Sequence, residues 1–347
     1  SNPRRTEITG DLSDIEDEDL IADEQMVVTI TNTGLIKRIG IEEYRVQKRG
    51  GKGVSNTLKA DDEPAHLFQI STHHTILFFT DRGRVYRLKG YEIPESGRYA
   101  KGMPVINYIS IVGGERVTAT VSVKTIGGEG YLTMITRKGE IKRTAISAFA
   151  NIRNNGLIAF DIEEGDELGW ALKTRGNDDV MLVTRQGQSI RFNEKTATSR
   201  SRAAGGVRAV RFKGDDFVVS ADVVRDDATL LVVGQNGYGK RTRLDEYRVQ
   251  GRGGSGILTM NCTDKTGFIV GAEVVEDDDR LLVMTVNGKG IRMKVKEVRL
   301  VGRVAQGVKL INLAGGDQVR SIARIVQEED DGEFESGEEI VGDEQES

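Results

Sequence analysis

Residues 230–256 read LLVVGQNGYGKRTRLDEYRVQGRGGSG, and the order of features in that stretch decides the fold. An apolar, β-branched run (230–233) stops beside a turn glycine, Gly237, and a second run opens with the basic pair Lys240 and Arg241. Two such runs joined by Asn and Gly are a hairpin signal. A second glycine, Gly256, follows Gly237 by 19 residues and precedes an apolar residue.

The same grammar recurs six times. A turn glycine with arginine four residues later occurs at Gly34, Gly83, Gly139, Gly187, Gly237 and Gly288, with spacings of 49, 56, 48, 50 and 51. The second glycine recurs at Gly53, Gly102, Gly156, Gly206, Gly256 and Gly307, 19 residues after the first in five repeats and 17 in the third. Residues 43–53 and 246–256 are identical at nine of eleven positions, although they lie four repeats apart. Two registers kept together across six units mark a true internal repeat. Each unit continues into a short apolar run and then a longer one, such as 117–123 or 217–224, so four strands fill about 50 residues, the size of a propeller blade. No segment has a capped helical period, which argues against a βαβ fold. The expected architecture over residues 26–326 is therefore all-β: a six-bladed β-propeller-like ring with four strands per blade. A closed ring explains how so many short strands avoid long open edges, while an open or spiral ring fits the same repeats.

Composition narrows the function. No apolar run approaches the ~20 residues of a membrane span, and no signal-peptide apolar region opens the chain, so a soluble intracellular protein without membrane contact is expected. The single cysteine, Cys262, forms no internal disulfide. Three isolated histidines, His66, His73 and His74, do not make a zinc centre, and neither metal nor cofactor is expected. The formal net charge of −5 hides an uneven distribution. Residues 26–324 hold 47 of the 49 Lys and Arg but only 34 of the 54 Asp and Glu, a net of +13. Residues 1–25 and 327–347 are acidic and are expected to be a solvated linker and a disordered tail. A basic body points to a polyanionic partner, with the acidic tail as a competitor for the same surface.

Two apparent phosphate loops are by-products of the repeat. Gly234, Gly239 and Lys240 satisfy G-x-x-x-x-G-K, but Arg241 stands where a P-loop needs a Ser or Thr, and no helix follows to present free N–H groups. Gly251, Gly253 and Gly256 satisfy G-x-G-x-x-G, again with no helix behind them.

The cluster Gln47, Lys48, Arg49, Gly50, Gly51, Lys52, Gly53 concentrates three cations and glycines that let backbone N–H groups approach an anion. Cations also recur once per unit in the second strand: Lys37 with Arg38, Arg87, Lys142 with Arg143, Arg191, Lys240 with Arg241, and Arg292. Arg200, Arg202 and Arg252 accompany the second glycines. Two readings of the strand arginines stand side by side: they meet a curved polyanion at regular intervals, or their guanidinium groups tie one blade to the next. Duplex DNA bent around the ring suits distributed phosphate contacts. Nineteen aromatics, none interleaved in the glycine–basic cluster, suit single strands less well. A propeller that binds protein, with a solvated basic rim, is the alternative of a different class.

The heptapeptide QKRGGKG at residues 47–53 resembles the box of the gyrase A C-terminal domain family, and the six repeats resemble that family's β-pinwheel. The box is matched without departure, which disfavours the paralogous topoisomerase IV domain. Its second copy, residues 250–256, has Gly251 and Ser255 in place of two lysines. The resemblance implies strands exchanged between blades and duplex DNA wrapped on the outer edge in a positive sense, largely independently of sequence. It also implies a bacterial cytoplasmic setting, with the remainder of gyrase A and gyrase B as partners in an A2B2 complex that supercoils DNA negatively with ATP. Residues 1–25 then lead out of a catalytic core. The isolated domain is expected to be monomeric and non-catalytic, since the sequence holds neither the family's DNA-attacking tyrosine region nor an ATPase motif.

Overall fold

A computed structural model describes residues 20–31, 33–41, 54–55, 64–97, 100–124, 126–153 and 155–326. The first two repeats supply β1 (Gln25–Thr31), β2 (Leu35–Gly40), β3 (Val54–Ser55), β4 (Pro64–Ser71), β5 (Thr75–Thr80), β6 (Arg84–Lys89), β7 (Met103–Pro104) and β8 (Val117–Val123). The third and fourth supply β9 (Tyr131–Thr136), β10 (Glu140–Ala145), β11 (Leu157–Ile158), β12 (Leu168–Thr174), β13 (Asp179–Thr184), β14 (Gln188–Asn193), β15 (Val207–Arg208) and β16 (Val218–Val223). The last two supply β17 (Thr229–Gly234), β18 (Tyr238–Arg243), β19 (Ile257–Leu258), β20 (Ile269–Val275), β21 (Arg280–Thr285), β22 (Lys289–Lys294), β23 (Val308–Lys309) and β24 (Val319–Ile325).

Six four-stranded antiparallel sheets result, and none is made from a single repeat. The first is ordered β4-β1-β2-β7 and the fifth β20-β17-β18-β23, so the short outer strand of each blade comes from the repeat that follows. The sixth blade, β24-β21-β22-β3, takes its outer strand from the first repeat, with Val54 opposite Gly290 and Ser55 opposite Lys289. That exchange closes the ring. The fold is an all-β six-bladed propeller, as the repeats predicted, and the open alternative is set aside by the β3–β22 pairing.

The two glycine registers have separate causes. Gly237 ends a three-residue hairpin loop at φ +80°, donating its N–H to the Gly234 carbonyl at 3.0 Å. Gly256 serves the exchange: a Cβ there would lie 2.2 Å from the Ser189 carbonyl oxygen, so only glycine lets this segment lie against β14 before β19 pairs with it. In five hairpins a threonine precedes the turn glycine by three residues, and its hydroxyl accepts the N–H of a residue at the start of the next strand, as Thr136 does from Glu140 at 3.0 Å.

The core is divided among blade interfaces. Val180, Leu182, Ile190 and Phe192 of the fourth blade pack against Ile135 and Ile141 of the third, and Val27 and Ile39 of the first blade pack against Leu282 and Met284 of the sixth. Each buried aliphatic side chain contributes roughly 1.5–3 kcal/mol. Because neighbours cover both faces of each sheet, β5 is buried at all six positions rather than alternately. The long strands β4, β8, β12, β16, β20 and β24 stand side by side around the central channel. Among the described residues no helix is long and apolar enough to cross a membrane.

A candidate nucleic-acid interface on the outer rim

The second strand of each blade carries an arginine, preceded by a lysine in the first, third and fifth blades, and burial on both faces turns most of these cations inward to the protein. Lys142 is 1% exposed and Lys240 0%. Lys142 Nζ donates to the carbonyls of Ala159, Arg202 and Ala204 at 2.6, 2.5 and 2.8 Å. Lys240 Nζ donates to those of Gly302, at 2.9 Å, and Arg303, and Lys37 Nζ to that of Ala100 at 2.7 Å. Burial pushes both Lys142 and Lys240 down to about 8.

The arginines face the other way and clamp the incoming repeat. Arg38 Nε donates to the Ile93 carbonyl at 2.8 Å, Arg143 Nε to that of Ala197 at 3.1 Å and Arg241 Nε to that of Val298 at 2.9 Å. Arg191 Nη1 reaches the Leu244 carbonyl at 3.1 Å, and Arg292 Nη1 the Ile41 carbonyl at 3.1 Å, the latter across the ring closure. Acidic partners add to four of them: Glu95 for Arg38, Glu194 for Arg143, Asp179 for Arg191 and Asp277 for Arg241. Of the two readings of the strand cations, the geometry therefore favours blade-to-blade ties for Lys37, Arg38, Lys142, Arg143, Arg191, Lys240, Arg241 and Arg292. Arg87 differs: it is exposed, and its blade takes its outer strand from the third repeat, where the interval between the glycines is two residues shorter.

Exposed cations lie instead in the loops that run from one blade to the outer strand of the preceding one. They include Lys101, Arg153, Arg200, Arg248 and Arg299, and Arg208 is exposed in the outer strand β15 itself. These loops flank the outermost strands, so their charges project from the perimeter. Three further arginines link such a loop to the outer strand that precedes it in the chain. Arg202 Nη1 donates to the Ile158 carbonyl at 3.4 Å, Arg252 Nη1 to that of Arg208, and Arg303 Nη1 to that of Leu258 at 2.6 Å. Arg202, Arg252 and Arg303 all stand four residues before the second glycine, as do Arg49 and Arg98. Sequence reasoning finds Arg49, Arg202 and Arg252 but misses Arg303, which the same register would have added. It also misses Lys101, Arg153, Arg208, Arg248 and Arg299.

Gln47, Lys48, Arg49, Gly50, Gly51, Lys52 and Gly53 lie outside the described residues, as does the tail at 327–347. The strand that follows the heptapeptide, β3, belongs to the sixth blade, next to the ring closure.

The chain matches the family model described as the DNA gyrase C-terminal domain, β-propeller, six times, at residues 25–71, 74–124, 130–174, 178–225, 228–276 and 279–325. It is 46% identical over 330 residues to the gyrase A protein of Mycolicibacterium smegmatis, covering 94% of this chain and 39% of that protein. With the gyrase A protein of Staphylococcus epidermidis it shares 43% identity over 333 residues, covering 94% and 37%. The chain thus spans about two fifths of the length of these relatives. A solved DNA gyrase A C-terminal domain superimposes with a TM-score of 0.79 at 26% identity, over 87% of this chain and all of that one. Six matched blades and this identity along nearly the whole chain make it a member of the DNA gyrase A C-terminal β-propeller family.

Proposed function

We propose that this chain is a non-catalytic DNA-wrapping domain, which bends a duplex around its outer rim through phosphate contacts. The observation that carries the reading is the presence of exposed cations, Lys101, Arg153, Arg200, Arg248 and Arg299, in successive perimeter loops while Lys37, Lys142, Arg143, Lys240 and Arg241 in the strands are buried. Charges at intervals on a curved edge meet successive phosphates only if the duplex follows the curve. Contacts of this kind offset the elastic cost of bending a short site, of order 1–6 kcal/mol, and read little sequence. The heptapeptide at residues 47–53, which precedes β3 in the sequence, adds three cations and is the strongest single contact in this reading, with Arg87 as a further one. The wrap is positive in sense and serves an A2B2 assembly with the remainder of gyrase A and with gyrase B, in the bacterial cytoplasm, where ATP-driven strand passage introduces negative supercoils.

The test is a topology assay: nicked circular DNA is bound, sealed with ligase and stripped of protein, and the trapped writhe is read. Positive supercoils that diminish when Lys48, Arg49 and Lys52 are neutralised are expected. DNA binding without trapped writhe would reduce the chain to a basic docking module, and no DNA shift at low salt would favour a protein partner.

A further inference from the structure

The central channel carries a second basic site, remote from the rim. Around one mouth stand Arg116, which precedes β8, Arg137 and Arg185 in the hairpin loops after β9 and β13, and Arg320 in β24, over a cavity of about 510 Å³. Glu167 serves two of them, at 2.8 Å from Arg116 and 3.7 Å from Arg137, Asp81 lies 3.3 Å from Arg116, and Glu115 and Glu273 also line the cavity. Arg185 has no ion-pair partner among the described residues. Its guanidinium is held against the rings of Phe217 and Phe268, 5.7 and 3.5 Å from their centroids, and Arg137 lies 4.9 Å from the Phe217 centroid. Stacking fixes the plane of a guanidinium while leaving its N–H edge for an acceptor, and that edge matches phosphate oxygens in pairs. The Ser321 hydroxyl, on the same wall and shielded from solvent, has no hydrogen-bond partner. A polar atom buried without a partner calls for one.

We propose that this channel mouth binds a compact phosphate-class anion, orthophosphate or pyrophosphate in size, on Arg137, Arg185 and Arg320, with the Ser321 hydroxyl as a neutral donor. His66, also on the wall, reports the field there: burial first, and then Arg320, Arg116 and Arg137, hold it down to about 4. Burial disfavours a charge of either sign there, and the three arginines add a bias against a cation. A duplex does not fit a cavity of this volume, so the site is independent of wrapping.

The experiment titrates the protein with inorganic pyrophosphate by calorimetry at low ionic strength. One saturable site is expected in the wild type and in the rim variant Arg248→Gln. It is expected to weaken about tenfold in Arg185→Gln and in Arg320→Gln, the loss typical of one charged hydrogen-bonding partner. Arg320 is exposed, so its variant keeps the test valid if Arg185→Gln fails to fold. Absence of saturable binding, or an equal loss in Arg248→Gln, would overturn the proposal, the second outcome by locating the anion on the rim.

Discussion

Arg241 Nε donates to the Val298 carbonyl at 2.9 Å, joining the second strand of the fifth blade to the segment that leaves the sixth. Arg241 is 6% exposed, and its backbone also pairs with the same segment, donating to the Arg299 carbonyl and accepting from Val301. Replacement by lysine keeps the charge but loses the planar fork, leaving the Val298 carbonyl without its donor. Arg241→Lys is expected to destabilise the fold by about 2 kcal/mol while leaving DNA affinity within about twofold, as a residue outside the phosphate contacts should. Urea unfolding and fluorescence anisotropy measured on the same preparation separate the two effects. Tenfold weaker binding at unchanged stability would return Arg241 to the DNA-contact set.

Strand exchange has its own test at Gly256. Its φ of +72° opposes a side chain, and so does the Ser189 carbonyl oxygen, which a new methyl would approach to 2.2 Å. Gly256→Ala is therefore expected to lower stability by about 2–4 kcal/mol, combining backbone strain with loss of the β14–β19 pairing. Gly315→Ala, where nothing lies within 4 Å of the new methyl, is the matched control and should change little. Thermal unfolding of the two variants makes the comparison. Equal melting temperatures would mean that the outer strand adds no stability.

Arg241 and Gly256 also show what a sequence can and cannot display. Recurrence of Gly237 and Gly256 exposed the number of blades, because turns and close approaches demand glycine wherever they occur. Recurrence of Arg241 in every unit, with a lysine like Lys240 before it in alternate ones, is equally plain, but periodicity does not tell which partner a cation meets. In an open sheet two adjacent residues alternate between core and solvent; here both faces of β18 are covered, so both cations are buried against backbone carbonyls. Arg248 and Arg299 lie in segments without strand alternation, and only the path of the exchanged loops brings them to the perimeter. Ring closure was not legible because it depends on Val54 and Ser55 meeting Lys289 and Gly290, a pairing between the two ends of the repeat array.

The rim residues should reveal themselves by salt. Each phosphate contact to duplex DNA contributes about 0.9 to the slope of log affinity against log salt concentration. Arg248→Gln combined with Arg299→Gln is expected to flatten that slope by about 1.8 and to weaken binding uniformly across sequences. Anisotropy titrations over a salt series measure it. An unchanged slope would remove both loops from the interface.

The far end of the channel supplies a pH test. Glu273 in β20 and Asp222 in β16 face the same cavity, with Arg324 from β24. Burial, reinforced by the Asp222 charge, pushes Glu273 up to about 8, against opposing attraction from Arg324 and Arg225. Burial likewise raises Asp222, although its carboxylate accepts the Val274 and Val223 N–H groups at 2.8 and 2.7 Å. The folded state consequently retains a proton that the unfolded chain releases near the ordinary value of 4.5. The sign follows: stability from this group is full below that value and is lost as pH rises through about 8. Glu273→Gln abolishes the titration, so the variant should gain on the wild type between pH 5 and pH 9, by at least about 1 kcal/mol after allowance for solvent in the channel. Lys142 and Lys240, held near 8, oppose this trend by making stability rise with pH above that value, but they are common to both proteins and cancel in the difference. Chemical unfolding of both proteins across that range measures it. A difference independent of pH would show Glu273 to be an ordinary solvated carboxylate.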